Sequence, residues 1–362
     1  MNIAIFLGHP AHFHLYKNVA KNLIQHNQHV QFVIKKKDIL EKLLQDAGLS
    51  FSVIREERSD SKLGLIKSVF QMETEMYRFL RKNKIDILSG TTLSFAGRVL
   101  ARKKVIVTGE DDANIVPMYA NLVYPFATEI LTPNVCDNGR WNKKSTKYNS
   151  FQKLAYLHPN QFTPDKTVVG KYFSADKPYF LLRFAKLNAH HDTGIHGINT
   201  DIAQQLIDIL KPHGNIYITS ERELEPQFEK YRLAINPLDI HHVMAYAKLY
   251  IGDSQSMAVE AAMLGVPSIR FNDFAGRIGV LEELEQTYQL TYGIKSSNPD
   301  KLYNIIKELI EMKNLHEEFQ LRRQKMLSEK IDVTAFMTWF IENYPESKQI
   351  MKENPDYQYN FK

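Results

Sequence analysis

The sequence predicts two consecutive α/β domains, each built on a doubly wound parallel sheet. Short apolar runs alternate with helix-length periodic segments along most of the chain. That alternation breaks once, in a polar stretch carrying several prolines, and then starts again. The chain has 362 residues, room for two domains at about 150 residues each.

In the first half, strand-like runs fall at residues 3–7, 30–34, 51–54, 85–88, 105–108 and 129–131. Helix-like stretches at 15–26, 39–47, 63–83 and 93–101 lie between them. From 132 to 178 the chain is polar and holds Pro133, Pro159, Pro164 and Pro178, which places an interdomain boundary near 160–178. Strand-like runs return at 179–184, 216–219, 249–251 and 268–271, and helices are expected at 201–211, 240–247, 256–264 and 280–284. Three further helices are expected around 301–312, 317–328 and 334–344. The expected division is 1–165 for a first α/β domain, 176–332 for a second, and 333–362 for a C-terminal helix and tail.

Composition narrows the class. Hydrophobic residues make up 44% of the chain and charged residues 24%, as in an ordinary globular protein. The single cysteine, Cys136, excludes an internal disulfide and fits a reducing compartment. The opening run Met1-Asn2-Ile3-Ala4-Ile5-Phe6-Leu7 lacks a basic leader and turns at Gly8-His9-Pro10, so it reads as a first strand. With no long apolar run elsewhere, the expectation is a cytoplasmic protein, with or without peripheral contact at the inner membrane face. The net charge of +5 is scattered rather than gathered into one arm, which argues against nucleic acid as a partner. The stretch 63–84, with Arg78, Arg81, Lys82 and Lys84, is amphipathic. It suits either a buried-face helix or a helix leaning on a membrane.

Four segments carry candidate chemistry. Gly8-His9-Pro10-Ala11-His12-Phe13-His14 follows the first strand, at the edge where ligands bind in doubly wound sheets. A histidine there has a pKa suited to proton transfer near neutrality. The helix start behind it attracts anions, which makes His9 a candidate for binding an anionic substrate. Filling of polar loop positions and a His12/His14 metal site are the competing readings of this loop. The second segment, Gly252-Asp253-Ser254-Gln255-Ser256-Met257-Ala258-Val259-Glu260, reads as strand, polar turn and helix, stopped at Gly265. Its unpaired N–H groups suit a diphosphate, with Ser254 and Ser256 assisting. Ser256 and Glu260 share a helix face, and a carboxylate there can accept both vicinal hydroxyls of a ribose. A merely capped helix with an exposed glutamate is the alternative.

The third segment, Leu182-Arg183-Phe184-Ala185-Lys186, places Arg183 and Lys186 to neutralise a diphosphate. His190-His191-Asp192 with His196 follows it, a spacing that mimics a metal cluster but suits a cleft loop better. No metal is expected. Thr108-Gly109-Glu110-Asp111-Asp112-Ala113-Asn114 is the fourth: Glu110 is a candidate base or sugar ligand, and helix capping is the alternative.

Together these segments resemble the GT-B superfamily, which contains nucleotide-sugar glycosyltransferases and the non-hydrolysing UDP-N-acetylglucosamine 2-epimerase. They look most like an uncharacterised bacterial and archaeal family in that group. That family's two signatures read here as His9-Pro10-Ala11-His12-Phe13-His14-Leu15-Tyr16-Lys17-Asn18 and as 252–270, from Gly252 to Arg270. The resemblance implies two Rossmann-like domains facing each other across a nucleotide-sugar cleft, with a last helix packing back on the first domain. By the same resemblance His12, eighteen residues before Val30, sits where the muropeptide N-acetylglucosaminyltransferase has its proposed base. Glu260 matches the ribose-binding glutamate, and Asp253, Ser254, Gln255 and Ser256 match the phosphate loop. Asn236-Pro237-Leu238-Asp239-Ile240 resembles the loop whose backbone, at Ile240, meets the uracil.

The sequence also departs from those relatives. Gln255 and Ser256 stand where many of them have glycines. Gly90-Thr91-Thr92 lacks the epimerase aspartate, Glu110 alone survives of the epimerase His-Val-Glu-Ala-Gly, and Pro117-Met118-Tyr119 replaces Pro-Glu-Glu. The expected function is therefore inverting, metal-independent transfer of a hexose, N-acetylated or not, from a UDP-sugar to a polysaccharide or lipid-linked acceptor. No cofactor is expected beyond that substrate, and a homodimer is left open. A UDP-sugar 2-epimerase and a non-catalytic nucleotide-sugar-binding protein are the alternatives.

Overall fold

The computed structural model describes the chain except residues 37, 55–61, 91–93, 175 and 187–195, together with the side chains of 38 and 62–66. The chain divides into two compact units, Met1–Tyr156 with Lys330–Lys362, and Leu157–Glu329.

The first unit runs β1 (Asn2–Leu7), α1 (Pro10–Gln25), β2 (His29–Lys35), α2 (Asp38–Asp46), β3 (Phe51–Ile54), α3 (Lys62–Lys82) and β4 (Ile87–Gly90). A π-helical turn (Ala96–Leu100), β5 (Lys104–Thr108), α4 (Pro117–Val123), β6 (Glu129–Pro133), a 3-10 turn (Gly139–Lys144) and β7 (Ser145–Tyr148) follow. The seven strands are parallel, in the order β3-β2-β1-β4-β5-β6-β7. Alternation along the strands sends Ala4, Phe6, Val33, Leu88, Val105, Val107 and Ile130 to one core. Met72, Met76 and Leu80 of α3, spaced four apart, close that core with Ala96, Ala120 and Val123. The amphipathic stretch 63–84 thus does pack a buried face.

The chain leaves the first unit at the end of the short helix α5 (Leu154–Leu157), and the first helix wholly within the second unit is α6 (Lys166–Val169). That unit continues with β8 (Tyr179–Phe184), α7 (Thr200–Leu210), β9 (Asn215–Ser220), α8 (Ile240–Ala245), β10 (Leu249–Gly252) and α9 (Gln255–Met263). Then come β11 (Ser268–Phe271), α10 (Gly279–Glu282), β12 (Thr291–Ile294), α11 (Pro299–Glu311) and α12 (Leu315–Glu329). Its five parallel strands are ordered β12-β11-β10-β8-β9. The chain returns to the first unit as α13 (Val333–Glu342) and α14 (Glu346–Glu353). There Phe336 packs on Tyr148, and Thr334 Oγ1 donates to the Ala155 carbonyl at 2.6 Å. The returning C-terminal helix expected from the sequence is present.

Two strands escaped the hydrophobic pattern. β7 is an edge strand of sequence Ser-Thr-Lys-Tyr, and β12 is Thr-Tyr-Gly-Ile, so neither carries an apolar run. The proline-bearing segment is shared: Pro133 ends β6 in the first unit, and Pro159, Pro164 and Pro178 lie in the second. Asp165 caps α6 through the Thr167 N–H at 2.8 Å, and Phe173 stacks on Tyr217 at 3.8 Å.

Each sheet has one switch point. β2 and β3 lie on one side of β1 and β4 on the other; likewise β9 and β10 flank β8. Ligands of such sheets bind beyond the carboxyl ends of the strands at these points. The backbones close tightly there. A Cβ on Gly90 would stand 2.3 Å from the Phe6 carbonyl oxygen, at a φ of +118° that glycine tolerates. On Gly252 it would lie 2.7 Å from the Tyr250 hydroxyl and 2.8 Å from the Arg183 carbonyl oxygen.

Candidate functional site

At the first switch point, β1 delivers His9 as the N-cap of α1. Its Nδ1 accepts the Ala11 N–H at 3.2 Å, and Pro10 opens the helix. His12 lies one turn into α1, half-buried, its N–H bonded to the His9 carbonyl at 3.0 Å and its ring 6.1 Å from the His9 ring. Behind them Tyr16, fully buried, bonds Ser89 at 3.0 Å and Thr108 at 3.2 Å, linking α1 to the ends of β4 and β5. Thr91 and Thr92 lie outside the described residues.

Glu110, just past β5, is fully engaged. Oε2 meets Lys153 Nζ at 2.7 Å, and Oε1 accepts the Gln152 N–H at 2.8 Å. Its backbone carbonyl accepts the Cys136 thiol at 2.9 Å. These bonds tie the β5 end to the segment after β7, a positioning arrangement rather than that of a poised base.

The second unit's switch point gathers more of the candidates. Asp253 is 1% exposed at the end of β10. One carboxylate oxygen accepts the Ala185 N–H at 2.6 Å and the other the Ile198 N–H at 3.2 Å, so Asp253 pins both flanks of 187–195. Burial pushes its pKa up to about 6, against the pull of those two N–H groups and of Arg222. Both carboxylate oxygens of Asp253 are thus engaged with backbone N–H groups. Ser254 is the N-cap of α9 but its side chain makes no capping bond; Gln255 is half-buried and Ser256 exposed. The far end of α9 is closed by a Schellman turn at Gly265, whose φ is +70°, with Val266 N–H on the Ala261 carbonyl at 2.9 Å. Gln320 and Arg323 of α12 donate to the Leu264 and Met263 carbonyls at 3.0 and 2.6 Å.

Arg183 donates to Glu221, and the Lys186 N–H reaches the other Glu221 oxygen at 3.3 Å. Lys186 itself is exposed. Glu260, 8% exposed, lies 3.4 Å from His241 of α8. That contact brings the 236–240 turn beside α9. Tyr172 braces the turn, donating to Asp239 at 2.7 Å and accepting the Asn236 N–H at 3.3 Å, and Ile240 starts α8.

Some site-building residues carried no local motif. Asn272, past β11, donates to the Asp253 carbonyl at 3.0 Å, and Arg222, past β9, donates to the Ile198 carbonyl at 2.5 Å. The only signal for either was its place one or two residues beyond a strand. His190, His191 and Asp192 lie outside the described residues. His196 bonds Asp273 through its N–H at 2.9 Å. Among the described residues no three His, Cys, Asp or Glu side chains are grouped to hold a metal.

Neither a protein-family model nor a curated protein sequence matches the chain. Solved structures do. The UDP-GlcNAc 2-epimerase of Neisseria meningitidis, bound to UDP-GlcNAc, is similar at a TM-score of 0.69 and 14% identity over 95% of this chain and 100% of that one. MnaA of S. aureus in complex with UDP gives 0.66 and 13%, over 96% and 97%. A glycosyltransferase of kitacinnamycin gives 0.63 and 10%, over 94% and 98%. The chain has the GT-B fold. Both switch points of that GT-B architecture carry the histidine loop and the Asp253–Glu260 segment singled out from the sequence.

Proposed function

We propose that this protein is a nucleotide-sugar enzyme of the GT-B type that transfers a hexose from a UDP-sugar to a hydroxyl acceptor with inversion and without a metal. The observation that carries the reading is the N-terminus of α9. It opens at a switch point without a side-chain cap, Arg183 and Lys186 flank it, and Glu260 lies further along the same helix. A nucleoside diphosphate bound there would set its phosphate oxygens at the first-turn N–H groups and its ribose diol toward the Glu260 carboxylate.

In the proposed reaction the acceptor oxygen attacks the anomeric carbon from the face opposite the diphosphate. Its proton passes to His12. The bond from the anomeric carbon to the diphosphate breaks, and its electron pair leaves on the β-phosphate oxygen. The α9 dipole with Arg183 and Lys186 stabilises that charge. His9 orients the start of α1, Asp253 and Gln255 shape the phosphate loop, Ser254 and Ser256 offer hydroxyls, and Ile240 lies at the base. Glu110 positions the first unit's loop.

Thermal unfolding with UDP, GDP, CMP, TDP and ADP tests this. A ligand at a hundred times its dissociation constant adds about 2.7 kcal/mol, so UDP should raise Tm clearly and the others less. No shift with any nucleotide would remove the donor site. The structural likeness to UDP-GlcNAc 2-epimerases supports a second reading. Conversion of UDP-GlcNAc with no acceptor present would establish it over transfer.

A further inference from the structure

We infer that the outer face of α3, the π-helical turn and α4 in the first unit is a docking surface for an anionic lipid bilayer. All three elements pack on one core cluster and adjoin one another: Glu73 of α3 accepts the Ala96 N–H at 2.8 Å, and Ser94 Oγ, just before the π-helical turn, donates to the Val123 carbonyl of α4 at 2.9 Å. On these elements Phe70 is 72% exposed, Leu122 65% and Met118 60%, three of the four most exposed large apolar side chains described. Val69, Val99 and Leu100 add to the same side. Met118 and Leu122 stand one turn apart on α4, so they project together. An apolar patch of this kind marks an interaction site.

Charge selects the occupant. Residues 96–104, 117–128 and 139–148 hold eight Lys or Arg and no Asp or Glu. Arg98, Arg102 and Lys143 are exposed, and Arg140 crosses from the 3-10 turn to Asn121 on α4 at 2.7 Å, its guanidinium 4.6 Å from the Trp141 ring. α3 adds Arg78, Arg81 and Lys82 against two half-buried carboxylates, Glu73 and Glu75, of which Glu73 accepts the Ala96 N–H at 2.8 Å. A second copy of the chain would set like charge against like charge across a two-fold axis. A bilayer carrying acidic headgroups takes the apolar side chains into its interface and pairs with the basic rim. No helix among the described residues is long and apolar enough to cross a membrane, so the contact is peripheral.

The full chain would be sedimented with vesicles of phosphatidylcholine alone and with vesicles of phosphatidylcholine and phosphatidylglycerol, at low and high salt. The expected result is pelleting with the anionic vesicles only, reversed by salt. Leu122→Ser with Phe70→Ser, and separately Arg98→Glu with Arg102→Glu, should each cut partitioning about tenfold while leaving Tm and the UDP-induced shift unchanged. The inference is overturned if the protein stays in solution with anionic vesicles, or if both double variants still pellet. It is equally overturned if sedimentation velocity shows a dimer that the same variants dissociate.

Discussion

Helices α1 and α9 both begin at a strand end beside a switch point, yet one start is closed and the other open. His9 caps α1 with its own ring nitrogen, whereas Ser254 leaves the first turn of α9 without a side-chain bond. One topology therefore offers two chemistries. In the proposed reading the closed start carries the imidazole that moves a proton, and the open start presents the N–H groups that hold a phosphate. The largest test of this division is His12→Ala. Turnover should fall by about two to four orders of magnitude, the usual worth of a general base, with the UDP melting shift unchanged. An unchanged rate would return the histidine loop to a structural role and favour a binding protein.

The two units also bury charge differently. In the first, Glu129 is 1% exposed, and although burial raises its pKa, Lys348 at 2.6 Å and Thr146 at 2.8 Å answer it. In the second, Arg270 is 0% exposed and its three nitrogens make no hydrogen bond, with Glu285 3.8 Å away. Burial, countered by Glu285 and Glu282, lowers the Arg270 pKa. Glu285→Gln should then cost about 3–5 kcal/mol in denaturant unfolding, because it strands a buried cation. Adding Arg270→Met to it should recover most of that loss. A mild single variant with no recovery in the double would show that Arg270 is neutralised by something other than Glu285.

Asp253 gives the second unit a pH signature. Its folded pKa of about 6 lies above the unfolded value of about 3.9, so the native state holds the proton more tightly. The corresponding stability is full below about pH 4 and is lost as pH rises through 6, about 3 kcal/mol in all. The difference in unfolding free energy between wild type and Asp253→Asn should decline over that window. A flat difference would mean that the carboxylate is already ionised at pH 4 and that the Ala185 and Ile198 N–H groups outweigh its burial.

The sequence disclosed the Gly252–Arg270 segment because strand, turn, helix, glycine and strand follow one another without interruption, and each step has its own residue signature. The His9–His14 loop was legible for the same reason: it follows an apolar strand and opens a helix. Glu110 was recognisable as an acid at a strand end, but its engagement with Lys153 spans 43 positions and leaves no local pattern. Asn272, Arg222 and Tyr172 were invisible because they act on loops brought near only by sheet order. β7 and β12 escaped because edge strands need only one apolar side.

The smallest effect offers the sharpest separation of the two helix starts. His9→Ala removes the acceptor for the Ala11 N–H and should lower stability by about 1 kcal/mol, as loss of an N-cap does, without weakening UDP. Ser254→Ala removes no capping bond, so Tm of the free protein should stay within about 0.5 kcal/mol of wild type in stability terms. If a diphosphate takes the place of the cap, the Ser254→Ala variant should instead lose part of its UDP-induced shift, because a hydroxyl that points at phosphate in the complex is gone. The two substitutions thus exchange readouts: stability without binding at α1, binding without stability at α9. A stability loss at Ser254 would mean that α9 is capped in solution, and the anion would then have to compete with that cap for the same N–H groups.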